Sequence, residues 1–306
     1  MQEIQPSLTL EMNHKSFVIK VLESSSSSKL VLYQNPDSSY FVSKMVPFSK
    51  YFLLEKEFRI LKEFPHPNII EAFSLANDKG WGFLTLEYAK LSDLIGFLNF
   101  FNDKICLLFR TISKYEKFWR SLFWQIVSAF TFLQKNGVAH GDIKPDNILL
   151  TENFEIKVTD FEFGTEFKAD SSEKRISEKI WGTDNYLSPE LRERKTPYDP
   201  IKSDVFSLGV TFLNLMSRDD LFPSKEKKRQ IRIKRTDLVD VLKTGAENIW
   251  GQFALGAKVS NDFKKMAEKM LAFDPEERWS FEEVLGSEWM QGERFNSEEM
   301  KKIMWS

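Results

Sequence analysis

The chain has few of the residues that covalent or metal cross-links need. There is one cysteine, Cys106, among 306 residues, so no internal disulfide can form, and the chain suits a reducing compartment. Three histidines beside that one cysteine do not supply a structural zinc site. Charge of one sign is also lacking. The formal net charge of −2 leaves no electrostatic footprint for nucleic acid or an anionic membrane. No apolar run approaches the length of a membrane span, and residues 1 to 15 carry no secretory apolar core. The expectation is a soluble, intracellular, cytoplasmic protein. No internal repeat is evident. What is abundant is phenylalanine, 28 residues of it, read here as core filling in a chain long enough for a large core or two lobes.

The chemistry concentrates in one stretch, His140-Gly141-Asp142-Ile143-Lys144-Pro145-Asp146-Asn147, followed by apolar Ile148, Leu149 and Leu150. Asp160-Phe161-Glu162 comes a short hairpin later. Asp142, Asn147 and Asp160 thus lie at the ends of short strand-like runs. Oxygen donors so placed suit a divalent cation and nucleotide phosphates. Asp142 can accept a hydroxyl proton, Asn147 and Asp160 can hold Mg²⁺, and Lys144 can neutralise a transferring phosphoryl group. The pattern resembles the catalytic loop and metal-binding loop of eukaryotic protein kinases, H-R-D-x-x-x-x-N followed by D-F-G.

The rest of the chain can be set against that resemblance. Strand-like runs occupy Phe17 to Leu22, Leu30 to Tyr33 and Tyr40 to Val42. Between the first two lie Glu23 and five serines, Ser24 to Ser28, which on composition read as a flexible loop rather than a phosphorylation target. In a kinase this is the glycine-rich phosphate cover, with Glu23, Ser25 and Ser28 at the three glycine positions. Serine keeps the amide that approaches phosphate but loses glycine's dihedral freedom. Phe41-Val42-Ser43-Lys44 stands where kinases carry V-A-I-K. A lone strand-end lysine is commonly a solvated charge, and Glu57 alone reads as one exposed acid among Glu55, Lys56 and Arg59. The helical spacing of Phe52, Leu54, Phe58 and Leu61, with His66-Pro67-Asn68-Ile69-Ile70 after it, favours a Lys44–Glu57 ion pair.

The strand Gly82 to Leu86 leads into Glu87-Tyr88-Ala89, which the resemblance makes the hinge, with Leu86 as gatekeeper. It further implies that Leu22, Leu30, Val42, Lys44, Leu86, Glu87, Ala89 and Leu149 meet the nucleotide. Asp93 fits a ribose contact, or equally a helix N-cap. A helix from about Glu116 to Lys135 presents Trp119, Phe123, Ile126, Val127, Phe130 and Leu133 on a broad apolar face and ends at Asn136-Gly137. Gly182-Thr183-Asp184-Asn185-Tyr186-Leu187-Ser188-Pro189-Glu190 resembles G-T-x-x-Y-x-A-P-E, with Ser188 in the alanine position. The resemblance pairs Glu190 with Arg278 in the interior and makes Asp204 the anchor of the catalytic-loop backbone. The bland alternatives are two unrelated surface charges and a helix N-terminal acid. Ser260 to Leu271 reads as an amphipathic helix, and Ser280 with Glu283 as a capping box. Asn248-Ile249-Trp250 and Phe263-Lys264-Lys265 look somewhat like the calcium/calmodulin-dependent group.

The resemblance therefore spans about residues 16 to 290. It implies an α+β, bilobal protein-kinase-like fold: a lead-in over 1–15, a β-rich N-lobe over 16–86, a hinge at 87–89, a mainly helical C-lobe over 90–290 and a short charged tail over 291–306. The implied activity is serine/threonine phosphotransfer from ATP with Mg²⁺ to a protein substrate, with no nucleic acid and no membrane as partner. Asp142 is then the base, Lys144 the γ-phosphate contact and Lys44, held by Glu57, the contact for the other phosphates. Asn147 and Asp160 are the metal ligands. Lys144 and Thr183 fit serine/threonine rather than tyrosine acceptors, and Asp146 reads as a surface charge. The alternative is a pseudokinase, a binding module that keeps only the fold, suggested by the serine loop and by Glu162 in place of glycine. A β-carbon and a carboxylate at position 162 restrict the backbone and add negative charge near the metal ligands.

Gly141 replaces the arginine that receives an activation-segment phosphate in many kinases. Activity is accordingly expected not to depend on phosphate at Ser171, Ser172 or Ser177. Phosphatase-treated protein should keep its activity. Activity that vanished on that treatment and returned with a phosphate at one of these serines would contradict the expectation.

Overall fold

The structure, a computed structural model, describes residues 16–25, 28–167, 177–216, 235–252 and 259–306. The lead-in and Ser26, Ser27, Ser171 and Ser172 therefore lie outside the described residues. The chain divides into two compact units, Met1–Pro65 with Ile70–Tyr88, and His66–Ile69 with Ala89–Ser306.

The first unit is built on β1 (Phe17–Ser24), β2 (Lys29–Gln34), β3 (Tyr40–Pro47), β4 (Ala72–Asp78) and β5 (Trp81–Glu87). They form an antiparallel sheet in the order β1-β2-β3-β5-β4. Strand alternation puts Val31, Tyr33, Phe41, Met45 and Phe83 into one apolar cluster with Trp81 beside it, and Tyr33 stacks on Phe41 at 5.1 Å. Helix α1 (Tyr51–Glu63) buries Leu54, Glu57, Ile60 and Leu61. Phe52, which the apolar spacing grouped with Leu54, is exposed. Residues two apart on a helix point to nearly opposite sides, so a helix that turns Leu54 and Glu57 inward turns Phe52 out. Gly82 on β5 admits the α1 side of the sheet closely, since a Cβ there would meet the Tyr51 ring at 2.5 Å.

The second unit is mainly helical. Helix α2 (Leu94–Leu108) starts at Asp93, whose side chain accepts from the Gly96 amide, so Asp93 is the N-cap. Helix α3 (Ile112–Lys135) begins earlier than the apolar pattern suggested because Thr111 caps it. Its face of Trp119, Phe123, Ile126, Val127, Phe130 and Leu133 is fully or almost fully buried, and Gly137 ends it with φ of 72°. Short strands follow: β6 (Val138–Ala139), β7 (Ile148–Leu150), β8 (Ile156–Val158) and β9 (Thr165–Glu166), with β6 paired to β9 and β7 to β8. After α4 (Pro189–Arg192) comes α5 (Pro200–Met216), buried along its length apart from Lys202 and Asn214. Phe212 of α5 stacks flat on Phe123 of α3 at 3.7 Å. The remaining helices are α6 (Arg235–Leu242), α7 (Ile249–Gln252), α8 (Asn261–Met270), α9 (Phe281–Leu285) and α10 (Ser297–Trp305). Both halves of the Ser280–Glu283 capping box are present. Among the described residues no helix is long and apolar enough to cross a membrane.

Residues 291–306, expected as a short charged segment, carry α10. Asn296 and Glu299 form its capping box, Met300 and Met304 are buried, and Trp305 packs on Phe101 and Phe154 at 5.6 and 5.8 Å. Two methionines and one tryptophan at helical spacing supply the apolar stripe.

Three polar nodes, the first partly buried and the other two buried, tie the second unit together. Asn68 donates to Gln125 Oε1 and to the Ile156 carbonyl, and the same Gln125 oxygen accepts from the Ile156 amide. The Glu116 carboxylate accepts from the Ser260 amide at 2.6 Å and from Trp289 Nε1 at 2.9 Å. The third is the Glu190–Arg278 pair, which is interior and bidentate with both bonds at 2.7 Å. The remaining guanidinium donors of Arg278 go to the carbonyls of Ala272, Lys202 and Phe273, so all of its N–H groups are used. Such satisfaction is what makes a buried ion pair tolerable. Arg278→Ala should lower unfolding stability by about 3–5 kcal/mol, because Glu190 is left as an uncompensated buried charge. Urea denaturation measures this, and the double change Glu190→Met/Arg278→Leu should recover part of the loss.

Candidate active site

Asp204, one turn into α5, is where the site begins. Its carboxylate is buried and accepts the backbone amides of His140 (2.6 Å) and Gly141 (3.0 Å). Burial pushes this carboxyl up to about 7, against the lowering effect of the two amide bonds. The helix N-terminal reading of Asp204 is thereby replaced by a loop-anchoring one. His140 is itself buried. Its Nε2 meets the Thr159 carbonyl at 2.9 Å and its Nδ1 faces the Asp142 amide at 3.2 Å. The first bond fixes the Nε2–H tautomer, and burial lowers the imidazole pKa, so His140 is a neutral spacer. Its ring packs between Phe130 and Phe161.

The anchored backbone presents Asp142, whose buried carboxylate gathers three donors. Oδ1 accepts from the Thr183 amide at 2.7 Å. Oδ2 accepts from Lys144 Nζ at 2.7 Å and from Asn147 Nδ2 at 3.3 Å. Lys144 Nζ also donates to Thr183 Oγ1 at 2.9 Å, which closes a ring through Asp142, Lys144 and Thr183. Asn147 Nδ2 is held further by the Asp142 carbonyl at 2.9 Å. The amide orientation this fixes turns Asn147 Nδ2 to Asp142 and leaves Oδ1 on the other side of the amide. Asp160 takes φ of 70° and ψ of 65°, a left-handed conformation that aspartate tolerates better than most residues. Among the described residues no group of three or more His, Cys, Asp or Glu gathers as a metal cage. The Asn147 carbonyl accepts from the Thr159 amide at 3.1 Å, which sets Asp160 next in the chain beside Asn147, and the side-chain oxygens of an amide and a carboxylate are donors of the kind a hard cation such as Mg²⁺ takes.

The first unit supplies the other predicted residues except Ala89 and Leu149, which belong to the second. Lys44 Nζ lies 2.8 Å from Glu57 Oε2, and Glu57 is fully buried on α1. The register sets Lys44 opposite Leu30 and Leu84, and Val42 opposite Leu86, so Leu30, Val42, Lys44 and Leu86 share one sheet face. Leu22 differs. It falls at a register shift between Val21 and Glu23 and is 40% exposed. Ser25 and Ser28 close the β1–β2 turn on each other: the Ser25 amide donates to the Ser28 carbonyl and the Ser28 amide to Ser25 Oγ. In the hinge stretch, the Glu87 amide donates to the Glu71 carbonyl. Ala89 is buried, and Leu149 of β7 is half-buried beside Asp93.

Within 177–190, Ser177 is buried and exchanges both backbone bonds with Tyr198. Burial pushes the Tyr186 phenol up to about 12, and the Tyr186 carbonyl accepts from Ser207 Oγ. Ser188, standing where alanine was expected, is buried with its hydroxyl 3.0 Å from Ser203 Oγ. Asp146 is exposed. Sequence reasoning used Thr183 only as a marker of acceptor type. Its direct hold on Asp142 and Lys144 needed the close packing of Gly182, where a Cβ would meet the Gly141 carbonyl at 2.8 Å.

The fold and the arrangement of this site are shared with a known protein family. The protein kinase domain family matches residues 16–290, so the chain belongs to the protein kinase family, within its eukaryotic serine/threonine superfamily. Its five-stranded antiparallel unit and its helical unit are the β-rich and helical parts of that fold. It is 28% identical over 242 residues to CBL-interacting serine/threonine-protein kinase 12 of Arabidopsis thaliana, covering 78% of this chain and 43% of that protein. To CBL-interacting protein kinase 26 of Oryza sativa subsp. japonica it is 29% identical over 242 residues, 77% of this chain and 42% of that one. To serine/threonine-protein kinase SIK1 of Mus musculus it is 28% identical over 241 residues, 78% and 27% respectively. The chain spans less than half the length of these curated relatives.

The raised Asp204 pKa carries a pH dependence. The folded chain holds a proton there that the unfolded chain has lost between the ordinary value of 3.8 and about 7. That contribution to stability is full below about pH 4 and is lost as pH rises through about 7, with a slope of at most about 1.4 kcal/mol per pH unit. His140 works in the opposite sense, since its lowered pKa costs stability as pH falls below 6.5. The difference in stability between the wild type and Asp204→Asn removes the His140 contribution. That difference should shift against the wild type as pH rises from about 4 to 7. A flat difference across denaturation curves in that range would refute the assignment.

Proposed function

We propose that the chain is an active serine/threonine protein kinase, transferring the γ-phosphoryl group of ATP to a protein hydroxyl. The observation that carries this reading is the ring of Asp142, Lys144 and Thr183, with Oδ2 of Asp142 and Oγ1 of Thr183 both within 2.9 Å of Lys144 Nζ. A buried carboxylate with oriented oxygens beside a cation can position a hydroxyl and take its proton while a phosphoryl group is neutralised alongside. In the proposed step the acceptor oxygen forms a bond to the γ-phosphorus as the bond to the bridging β,γ-oxygen breaks. ADP leaves, and the acceptor proton passes to Asp142. Lys144 steadies the γ-phosphate, and Lys44, oriented by Glu57, holds the α- and β-phosphates. Asn147 and Asp160 would hold Mg²⁺, which would supply charge neutralisation at the phosphates. On the first unit the proposal assigns to adenine the sheet face of Leu30, Val42 and Leu86 and the Glu87 carbonyl, with Leu22 the most exposed of that set; on the second, Ala89 and Leu149 are its apolar candidates.

Because transfer of this kind rests on positioning and charge, loss of chemistry normally removes one of these polar groups. Lys44, Glu57, Asp142, Lys144, Asn147 and Asp160 are all present. The relatives carry kinase names, and nothing among them favours the binding-module alternative. The test is Mg²⁺-dependent phosphorylation of a generic basic protein with labelled ATP, run beside Asp142→Asn. The wild type should transfer label, and the variant should lose at least about 10²-fold in rate. No transfer by folded wild type, with ATP still raising its thermal midpoint, would overturn the reading.

A further inference from the structure

Two segments meet beside Asp142 through contacts that the phosphotransfer reading does not use. Phe163 ends the short turn after Asp160, and Trp181 immediately precedes Gly182-Thr183. Their rings stack at 5.3 Å with 28° between planes, although Trp181 remains 45% exposed. Two glycines close the space around this stack. Gly141 has φ of +83°, and a Cβ on it would meet the Phe163 carbonyl at 3.0 Å and Phe163 Cβ at 3.3 Å. Gly182 has φ of +111°, and a Cβ on it would meet the Gly141 carbonyl at 2.8 Å. Phe163, Gly141 and Gly182 are therefore in successive backbone contact, with Trp181 lying over the first.

We propose that Trp181, through its stack on Phe163, is a positioning residue that holds the Thr183 amide on the Asp142 carboxylate. Gly182 alone separates Trp181 from Thr183. It adopts a backbone conformation open to glycine at little cost, and so does not restrain the segment by its own dihedral preference. The restraint comes from the aromatic contact on one side and from the two Asp142–Lys144–Thr183 bonds on the other. An indole that contributes only to bulk burial would be expected in the interior. This one is half-exposed, and its ring contact is the stack on Phe163. The chemical consequence is that the orientation of Oδ1 of Asp142 depends on a contact two residues from its donor. The inference rests on the kinase reading for its catalytic consequence, but its structural core does not.

The experiment joins hydrogen exchange of the 181–187 stretch with steady-state kinetics on Trp181→Ala and Trp181→Phe. Trp181→Ala should speed exchange at the Thr183 amide, since that donor loses its fixed acceptor. It should lower kcat by between about 10- and 100-fold while KM for ATP stays within about twofold. Trp181→Phe, which keeps a flat ring for Phe163, should restore both. Phe163→Leu serves as the second route should Trp181→Ala not fold, with the same expected pattern. Unchanged exchange, or faster exchange with unchanged kcat in an active wild type, would overturn the proposal. So would a loss in kcat that Trp181→Phe does not rescue. Should the wild type transfer no phosphate, the kinase reading falls, and the exchange comparison still decides whether Trp181 holds Thr183.

Discussion

The bond pair between the Asp204 carboxylate and the amides of His140 and Gly141 is the constraint on which the second unit's site depends. Residues 140–144 have no regular secondary structure to fix them, so their backbone donors must be satisfied by something rigid. Here that is a carboxylate on α5, a helix buried on nearly every side. From that point the order propagates by adjacent contacts. Gly141 takes a positive φ, the His140 ring bonds Thr159 and the Asp142 amide, and Asp142 then receives Thr183, Lys144 and Asn147. The links run from 2.6 to 3.3 Å and join buried or charged groups, the class of hydrogen bond worth most and most costly to leave unmade.

The same logic appears at a distance from the chemistry. Glu190 with Arg278, and Glu116 with Ser260 and Trp289, are carboxylates taken out of water and given full sets of partners. A hydrophobic replacement could be as stable, yet these nodes join segments far apart in sequence with fixed directions, which apolar packing does less well. The Glu190–Arg278 node holds the end of the Gly182-to-Glu190 segment, and the Asp204 node holds the loop that Gly182 packs against. The segment is thus tied at both ends to the helical core.

Much of this was readable in the residues because it is periodic or local. The apolar face of α3, the caps at Asp93 and Ser280 and the stop at Gly137 each follow from spacing and the chemistry of a single side chain. Lys44 with Glu57 and Glu190 with Arg278 were readable only through the family pattern, since 13 and 88 residues separate the partners. Other features were not legible. Phe52 faces out because the helix rotates to turn Glu57 inward, a tertiary demand that apolar counting cannot see. Leu22 sits at a bulge, and a one-residue shift in register changes which side it faces. The stripe of α10 is short and interrupted by charges, so composition disguised it as tail. Glu116 looks in sequence like any helix surface acid. The stack of Phe163 on Trp181 joins segments whose meeting is decided by two glycines rather than by any pattern in the aromatics.

The central claim is that these oriented groups carry out serine/threonine phosphotransfer. Single-turnover transfer from labelled ATP to a peptide with one serine, as Mg²⁺ is titrated, beside the same peptide with tyrosine in that place, tests it most directly. The account predicts Mg²⁺-dependent label on the serine peptide and little or none on the tyrosine peptide. Nucleotide bound at saturating Mg²⁺ with no label on serine would contradict it.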